Sequence, residues 1–407
     1  MTGMFRSLSV FNYRVWFFGA LVSNVGTWMQ TTAQNWVVLV DLTDRDAAAV
    51  GLSIALQYAP PVLLVPLTGW VTDRFSRRRL LLITQSLMML VGFATGILIL
   101  TGVAQLWQIY VSAALLGTIA AFDAPARQSF VSDVVTRDIA ANAVALNSAS
   151  FNAARLVGPA VAGLLVVVVG SGWVFIINAF TFLAMIAALA AIRPHELNPW
   201  SRPAQRNRLA DGFRYVRARP DFMVLFVLAF LVGGFAMNFP IYASTMSLEF
   251  ARDADGFGVL ASILAVGSLT GSLMVARSER VSIGMAILAA GMYGVAALVS
   301  SVMPAYWWYA VALMFCGFAA AMTFTSTNAV IQTTSAPDVR GRVLALYLAV
   351  LMGGTPLAAL LVGAVASAWG PRWAIALGGV LTLTAAVAAF VWRVRERRRE
   401  RSADAAA

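Results

Sequence analysis

Four ionisable residues, Arg155, Asp123, Asp41 and Glu249, stand inside or at the ends of long apolar runs. A charge in such a run is costly and calls for a partner or a role, such as holding a charged solute or relaying a proton. Arg155 lies roughly 13 residues into its run, about 20 Å deep at ~1.5 Å per residue, near the middle of a hydrocarbon layer about 30 Å thick. Two readings stay open for it: a structural cation capped by carbonyls or an acid, or a site for an anionic or carbonyl-rich solute that could also act as a coupling switch. Asp123 sits toward one end of its run, where an arginine partner is within reach. Asp41 and Glu249 lie near run ends, where a carboxylate can carry protons or simply be solvated.

Other chemistry is closed off. The 29 basic residues are all arginine, so a phosphate-binding loop of the GxxxxGK[ST] type and a lysine Schiff base are both excluded. One histidine, His195, and one cysteine, Cys316, cannot build a Cys/His zinc site or an intrachain disulfide. His195 lies in an arginine-rich stretch, a poor place for a catalytic triad. Neither metal nor cofactor is expected, and the chain does not read as an enzyme.

The elements that must position these charges follow from composition. The chain of 407 residues is 60% hydrophobic and 12% charged, far from the usual balance of a water-soluble domain. Twelve apolar stretches are long enough to cross a bilayer, at roughly 12–40, 49–72, 78–100, 104–126, 139–168, 172–192, 221–247, 257–278, 281–301, 304–332, 341–368 and 371–393. Continuous runs such as Leu164-Leu165-Val166-Val167-Val168-Val169 favour helices over the alternating pattern of a β-barrel. The first stretch lacks a small-residue cleavage site and is expected to be a retained helix. With the N-terminus placed in the cytoplasm, 25 arginines fall on inner segments and three (Arg45, Arg252 and Arg372) on outer ones. This bias predicts that both termini are cytoplasmic. It also accounts for the net charge of +11 without nucleic acid as a partner.

The stretches divide into residues 1–192 and 221–393, separated by a polar linker at 193–220 and followed by a basic tail at 394–407. The linker carries Pro194, Pro199, Pro203, Pro220 and seven arginines from Arg193 to Arg219. Within it Leu209, Phe213 and Val216 fall on one face of a short helix expected to lie on the anionic inner leaflet, with a regulatory docking site as the other reading. The halves echo each other: Asp138, Val144-Ala145-Leu146 and Gly158-Pro159 in one correspond to Asp338, Leu344-Ala345-Leu346 and Thr355-Pro356 in the other. Such internal similarity suggests a duplicated unit.

The sharpest motif follows the second stretch: Gly69-Trp-Val-Thr-Asp73-Arg74-Phe-Ser-Arg77-Arg78-Arg79. A glycine permits close helix approach, and an acid at the membrane edge can complement a neighbouring helix N-terminus. It resembles the G-x-L-x-D-R-x-G-R-R signature of the major facilitator superfamily, with Val71 and Ser76 departing from it. Ser23-Asn24-Val-Gly26-Thr-Trp28-Met29, Trp36, Leu42-Thr43, Phe122-Asp123-Ala-Pro125-Ala-Arg127-Gln128, Arg155-Leu-Val-Gly158-Pro159 and Asp211-Gly212-Phe-Arg214-Tyr215 are similar to a group of bacterial exporters that includes the enterobactin exporter. The Gly158-Pro159 pair also resembles an antiporter motif on the fifth helix, although Ala162 departs from it.

That resemblance implies an all-α membrane protein of twelve helices in two six-helix bundles, working by alternating access in the bacterial cytoplasmic membrane, as a monomer. It implies that stretches 1, 4, 7 and 10 line a cavity. Asn24, Thr27, Thr31 and Gln34 beside Gln30, then Asn238, Tyr242 and Thr245, then Thr323, Ser326, Thr327 and Asn328 beside Phe324, form polar stripes there, each of which could instead serve helix–helix hydrogen bonding. With Trp28, Tyr58, Phe235, Phe239 and Arg155 they suggest an amphipathic site for a sizeable small-molecule substrate. Gly69, Asp73, Arg74, Arg77, Arg78, Asp123 and Arg127 become gating candidates. Asp123 is expected to pair with Arg77 or Arg74, and Asp73 to face Arg340-Gly341-Arg342. Gly158 and Pro159 become a hinge, and Asp41, Asp123 and Glu249 candidate proton carriers. The expected cargo is a siderophore or lipophilic drug-like compound moving outward, with coupling to protons expected. The alternatives are an importer on the same scaffold and a transport-inactive receptor.

Overall fold

A computed structural model describes residues 5–197, 209–278, 281–336 and 339–404. Among these residues the chain is helical. The helices are α1 Phe11–Trp36, α2 Ala47–Leu63, α3 Val65–Arg74, α4 Arg77–Leu100, α5 Leu106–Asp133, α6 Ala140–Val169, α7 Ser171–Ala191, α8 Leu209–Arg217, α9 Pro220–Met237, α10 Phe239–Glu249, α11 Ala254–Ala276, α12 Ile283–Ser301, α13 Tyr306–Thr334, α14 Arg340–Trp369 and α15 Pro371–Asp404. Helices satisfy every backbone group within the segment, which a hydrocarbon environment demands.

Among the described residues ten helices are long and apolar enough to cross a membrane, with α9 and α10 together forming one of them, Pro220–Glu249. The first two expected stretches take other forms. The first is α1, rich in buried polar side chains and continued by a π-helical turn at Val37–Asp41. The second is broken at Leu64 into α2 and α3, just after Pro60 and Pro61. Proline removes a backbone donor and crowds the preceding turn, which ends α2 early. Asp46 caps the other end by accepting the Ala48 N–H at 2.9 Å.

The chain divides into two compact units: Met1–Gln205 with Ala243–Ser262, and Arg206–Tyr242 with Ile263–Ala407. In the first, Tyr13, Trp16, Leu81, Phe130, Val131 and Met185 form a buried cluster tying α1 to α4, α5 and α7. In the second, Asn238 marks the joint of α9 and α10. Its amide donates to the Gly234 carbonyl at 2.6 Å and the Thr355 carbonyl at 2.9 Å. That pins the joint, just ahead of Pro240, to α14.

α6 and α14 are each 30 residues long and start 200 residues apart. Each ends at a glycine of nearly the same conformation, Gly170 at φ 89° and ψ 158° and Gly370 at φ 94° and ψ 161°. A side chain at either site would be strained, so these sharp turns into α7 and α15 need glycine.

Candidate functional site

The first unit holds a buried polar network built on Asp123 of α5. One oxygen of its carboxylate accepts from the Thr84 hydroxyl at 2.7 Å and the Gln85 amide at 2.8 Å, both on α4. The other accepts from Arg127 Nε at 3.0 Å, one turn further along α5. Arg127 reaches on to Asn24 Oδ1 of α1 at 3.3 Å, and Ser23 donates to Gln85 at 3.3 Å. Asp123 is only 4% exposed. Donors converge on both of its oxygens. The network therefore ties α1, α4 and α5 through one titratable group and its counter-charge.

This corrects the expected pairing. Asp123 binds Arg127, not Arg77 or Arg74. Arg77 instead grips Asp133, with Nη1 at 2.5 and 2.7 Å from the two carboxylate oxygens. The reason is geometric: Arg77 opens α4 and meets the end of α5, where Asp133 lies, whereas Asp123 is about 15 Å further along the helix axis at ~1.5 Å per residue. Arg78 caps α7, donating to the carbonyls of Leu189 at 2.8 Å and Ala190 at 3.3 Å. Arg74 is exposed. Gly69 and Asp73 lie on α3, but their side chains are outside the described residues, as is Asp338.

Arg155, midway along α6, is half-buried. Among the described residues it forms neither an ion pair nor a hydrogen bond, and the group it senses electrostatically is the Tyr58 phenol of α2. An acid partner, one of the readings left open by the sequence, is not what the structure places there. Close by, Gly158 lets α6 approach α1: a Cβ there would lie 2.5 Å from the Cβ of Trp28. The Trp28 ring meets Phe151 edge-on at 5.9 Å.

Other candidates are engaged in helix packing. Gln34 donates to Ser53 at 3.1 Å and Gln57 at 3.3 Å on α2. Tyr242 is buried, and Phe324 and Asn328 are half-buried on α13. Asn328 accepts from Gln332, one turn on. Asp41 and Glu249 are exposed, and Asp41 accepts from Ser171 at 2.8 Å. At the start of α6 the Thr136 hydroxyl, and less strongly Arg6, hold the Asp138 carboxyl below the usual carboxylate range. Sequence reasoning missed Asp133, Thr84 and Gln85. Adjacent polar residues 84 and 85 in an apolar run were the available signal for the last two.

The fold is that of a transporter with many membrane-crossing helices. Residues 2–406 match the family described as transmembrane secretion effector. The chain belongs to this family, within the major facilitator superfamily, and not to a family of enzymes. It is 24% identical to the staphyloferrin A transporter of Staphylococcus aureus, over 88% of this chain and 90% of that protein. It is 26% identical to the multidrug efflux pump Tap of Mycolicibacterium fortuitum, over 93% and 95%, and 24% identical to the enterobactin exporter EntS of Shigella flexneri, over 85% of each. Among solved structures, an inward-facing bacterial homolog of the human lysosomal transporter Spinster superposes with a TM-score of 0.73 at 15% identity, covering 92% of this chain and 96% of that one. A D-xylose–proton symporter superposes with a TM-score of 0.71 at 14% identity, covering 92% and 95%.

Proposed function

We propose that this chain is a twelve-span exporter of siderophores or lipophilic drug-like compounds, working by alternating access and coupled to protons, with both termini in the cytoplasm. The observation that carries the reading is the Asp123–Arg127 pair buried in a network that spans three helices. Protonation of Asp123 cancels its hold on Arg127, and Arg127 also bears on α1 through Asn24. A proton taken up at Asp123 thus changes how α5 is bound to α1, which is what coupling requires. Arg155, without an acid partner among the described residues, supplies a positive charge for an anionic or carbonyl-rich cargo. The relatives that export siderophores and drugs support the direction.

The test is proton flux in proteoliposomes under an imposed pH gradient, with a catecholate siderophore or a lipophilic cation added. Wild type is expected to move protons when the siderophore is added, Asp123→Asn to lose the proton movement, and Arg155→Ala to lose the response to the anionic cargo. Labelled siderophore crossing without proton movement would remove the coupling. Accumulation against the export direction in oriented vesicles would make the chain an importer.

A further inference from the structure

The short helix α8 divides its side chains in a way the sequence did not foretell. Leu209, Phe213 and Val216 were expected on one apolar face; the Leu209 side chain lies outside the described residues. Val216 is 4% exposed, whereas Phe213 is 60% exposed. Gly212 and Val216, one turn apart, form the buried edge. Gly212 packs so closely on α14 that a Cβ there would lie 2.9 Å from the Cβ of Arg342 and 3.2 Å from Leu346 Cδ1. Tyr215 completes the attachment: its hydroxyl accepts the Ala336 N–H at 3.3 Å, just before α14. Arg219 donates to the same hydroxyl at 3.4 Å, pairs with Asp221 and lies over the Phe222 ring at 4.7 Å. The elbow between α8 and α9 is thereby bolted to the start of α14. Phe213, Arg214 and Arg217 remain exposed on the opposite side.

An aromatic ring followed one and four residues on by exposed arginines, on a helix that ends three residues short of the membrane-crossing helix at Pro220, is suited to the headgroup layer. The ring enters the apolar edge and the guanidinium groups meet lipid phosphates. Charge complementarity selects the occupant: between residues 193 and 219 the sequence has seven arginines against two acids, Glu196 and Asp211. We propose that the exposed Phe213–Arg214–Arg217 face of α8 binds anionic phospholipid of the inner leaflet, and that the Gly212 and Tyr215 contacts transmit that binding to the start of α14. The lipid composition then biases how readily α14 moves.

The experiment is hydrogen–deuterium exchange on the full chain in nanodiscs of phosphatidylcholine alone or mixed equally with phosphatidylglycerol. In wild type, phosphatidylglycerol slows exchange in both 209–219 and 336–346. Removing both arginines in Arg214→Gln/Arg217→Gln abolishes that response, since each is worth roughly 5-fold in affinity for an anionic surface. Both positions are exposed, and unchanged exchange in α12 confirms that the variant is folded. Gly212→Leu keeps the response in 209–219 and loses it in 336–346. Three outcomes overturn the proposal: no lipid-dependent exchange in wild type, an undiminished response in the double variant, or the same protection produced by free inorganic phosphate in phosphatidylcholine discs.

Discussion

Helices α5–α6 and α13–α14 are matched in frame and differ in the charges they carry. α5 and α13 begin at residues 106 and 306, and α6 and α14 at 140 and 340. At the same 200-residue offset Asp123 corresponds to Thr323, Arg127 to Thr327 and Arg155 to Thr355. α13 carries no charged residue, and α14 carries arginine only at its first turn, Arg340 and Arg342. The Thr323 hydroxyl bonds back to Ala319 of its own helix at 2.8 Å, while Asp123 gathers partners from α4 and its own α5. The repeated frame shows what helix packing requires, and the unrepeated charges show what it does not. Those charges are therefore where function is to be sought, and the comparison can be broken one pair at a time.

The largest effect is expected from Asp123→Ala. It strands a partly buried guanidinium, which costs about 3 kcal/mol. Thr323→Ala, at the matching place, forfeits one bond within its helix and is expected to cost about 1 kcal/mol. Thermal unfolding in detergent measures both. A further variant separates stability from coupling: Asp123→Leu with Arg127→Met removes both charges together, so folding should return while proton-linked flux stays absent. Equal losses for Asp123→Ala and Thr323→Ala would end the claim that the two units differ in kind.

Arg155→Gln should act in the opposite sense on stability. Removing a charge that has no acid partner among the described residues relieves desolvation, so the melting temperature should hold or rise. Flux of an anionic cargo should fall by at least about tenfold, the effect of ~1.4 kcal/mol of lost binding in the transport step. Thr355→Val is expected to leave flux nearly intact, since it is the Thr355 carbonyl, not its side chain, that receives the Asn238 amide. A stability loss in Arg155→Gln would instead mark Arg155 as structural.

How far this pattern was legible in the sequence varies with the kind of signal. Of the twelve expected stretches, apolar run length located the ten helices among the described residues that are long and apolar enough to cross a membrane, because a hydrocarbon environment leaves the backbone little choice. The isolated charges at 123 and 155 stood out for the same reason. Partner choice was harder. Asp123 and Arg127 sit at an i,i+4 spacing that can be read directly, yet the arginine-rich loop after α3 offered several rivals. Asp133 lies at a helix end and was not among the candidates. Only the register between α4 and α5, a tertiary property, brings it to Arg77. The split of Phe213 from Val216 likewise depends on where α14 passes, which no periodicity in α8 encodes.

The Asp133–Arg77 pair is the next step down. Its side chains are 7% and 23% exposed, so it lies between the buried pair and a solvated bridge. A double-mutant cycle with Asp133→Asn and Arg77→Gln should give a coupling of about 2 kcal/mol. At the offset position the chain has Thr333, which bonds back to Ala329 of its own helix at 2.9 Å, so the second unit has no equivalent ion pair there. A coupling near zero would move this pair into the class of solvated surface bridges.

The smallest effect tests the shared frame itself. Gly170 and Gly370 adopt the same left-handed, extended conformation at the ends of α6 and α14. A Cβ at either would meet no atom within 4 Å, so the cost of alanine is conformational alone. Both Gly170→Ala and Gly370→Ala should therefore destabilise by about 1–2 kcal/mol, and by amounts that agree with each other. Agreement matters more than size. If the units share a frame and differ only in the charges hung on it, strain at the two turns has one origin and one magnitude. Unequal melting temperatures for the two variants would show that the frames have diverged as well, and the charge difference would then no longer stand alone as the distinction between the units.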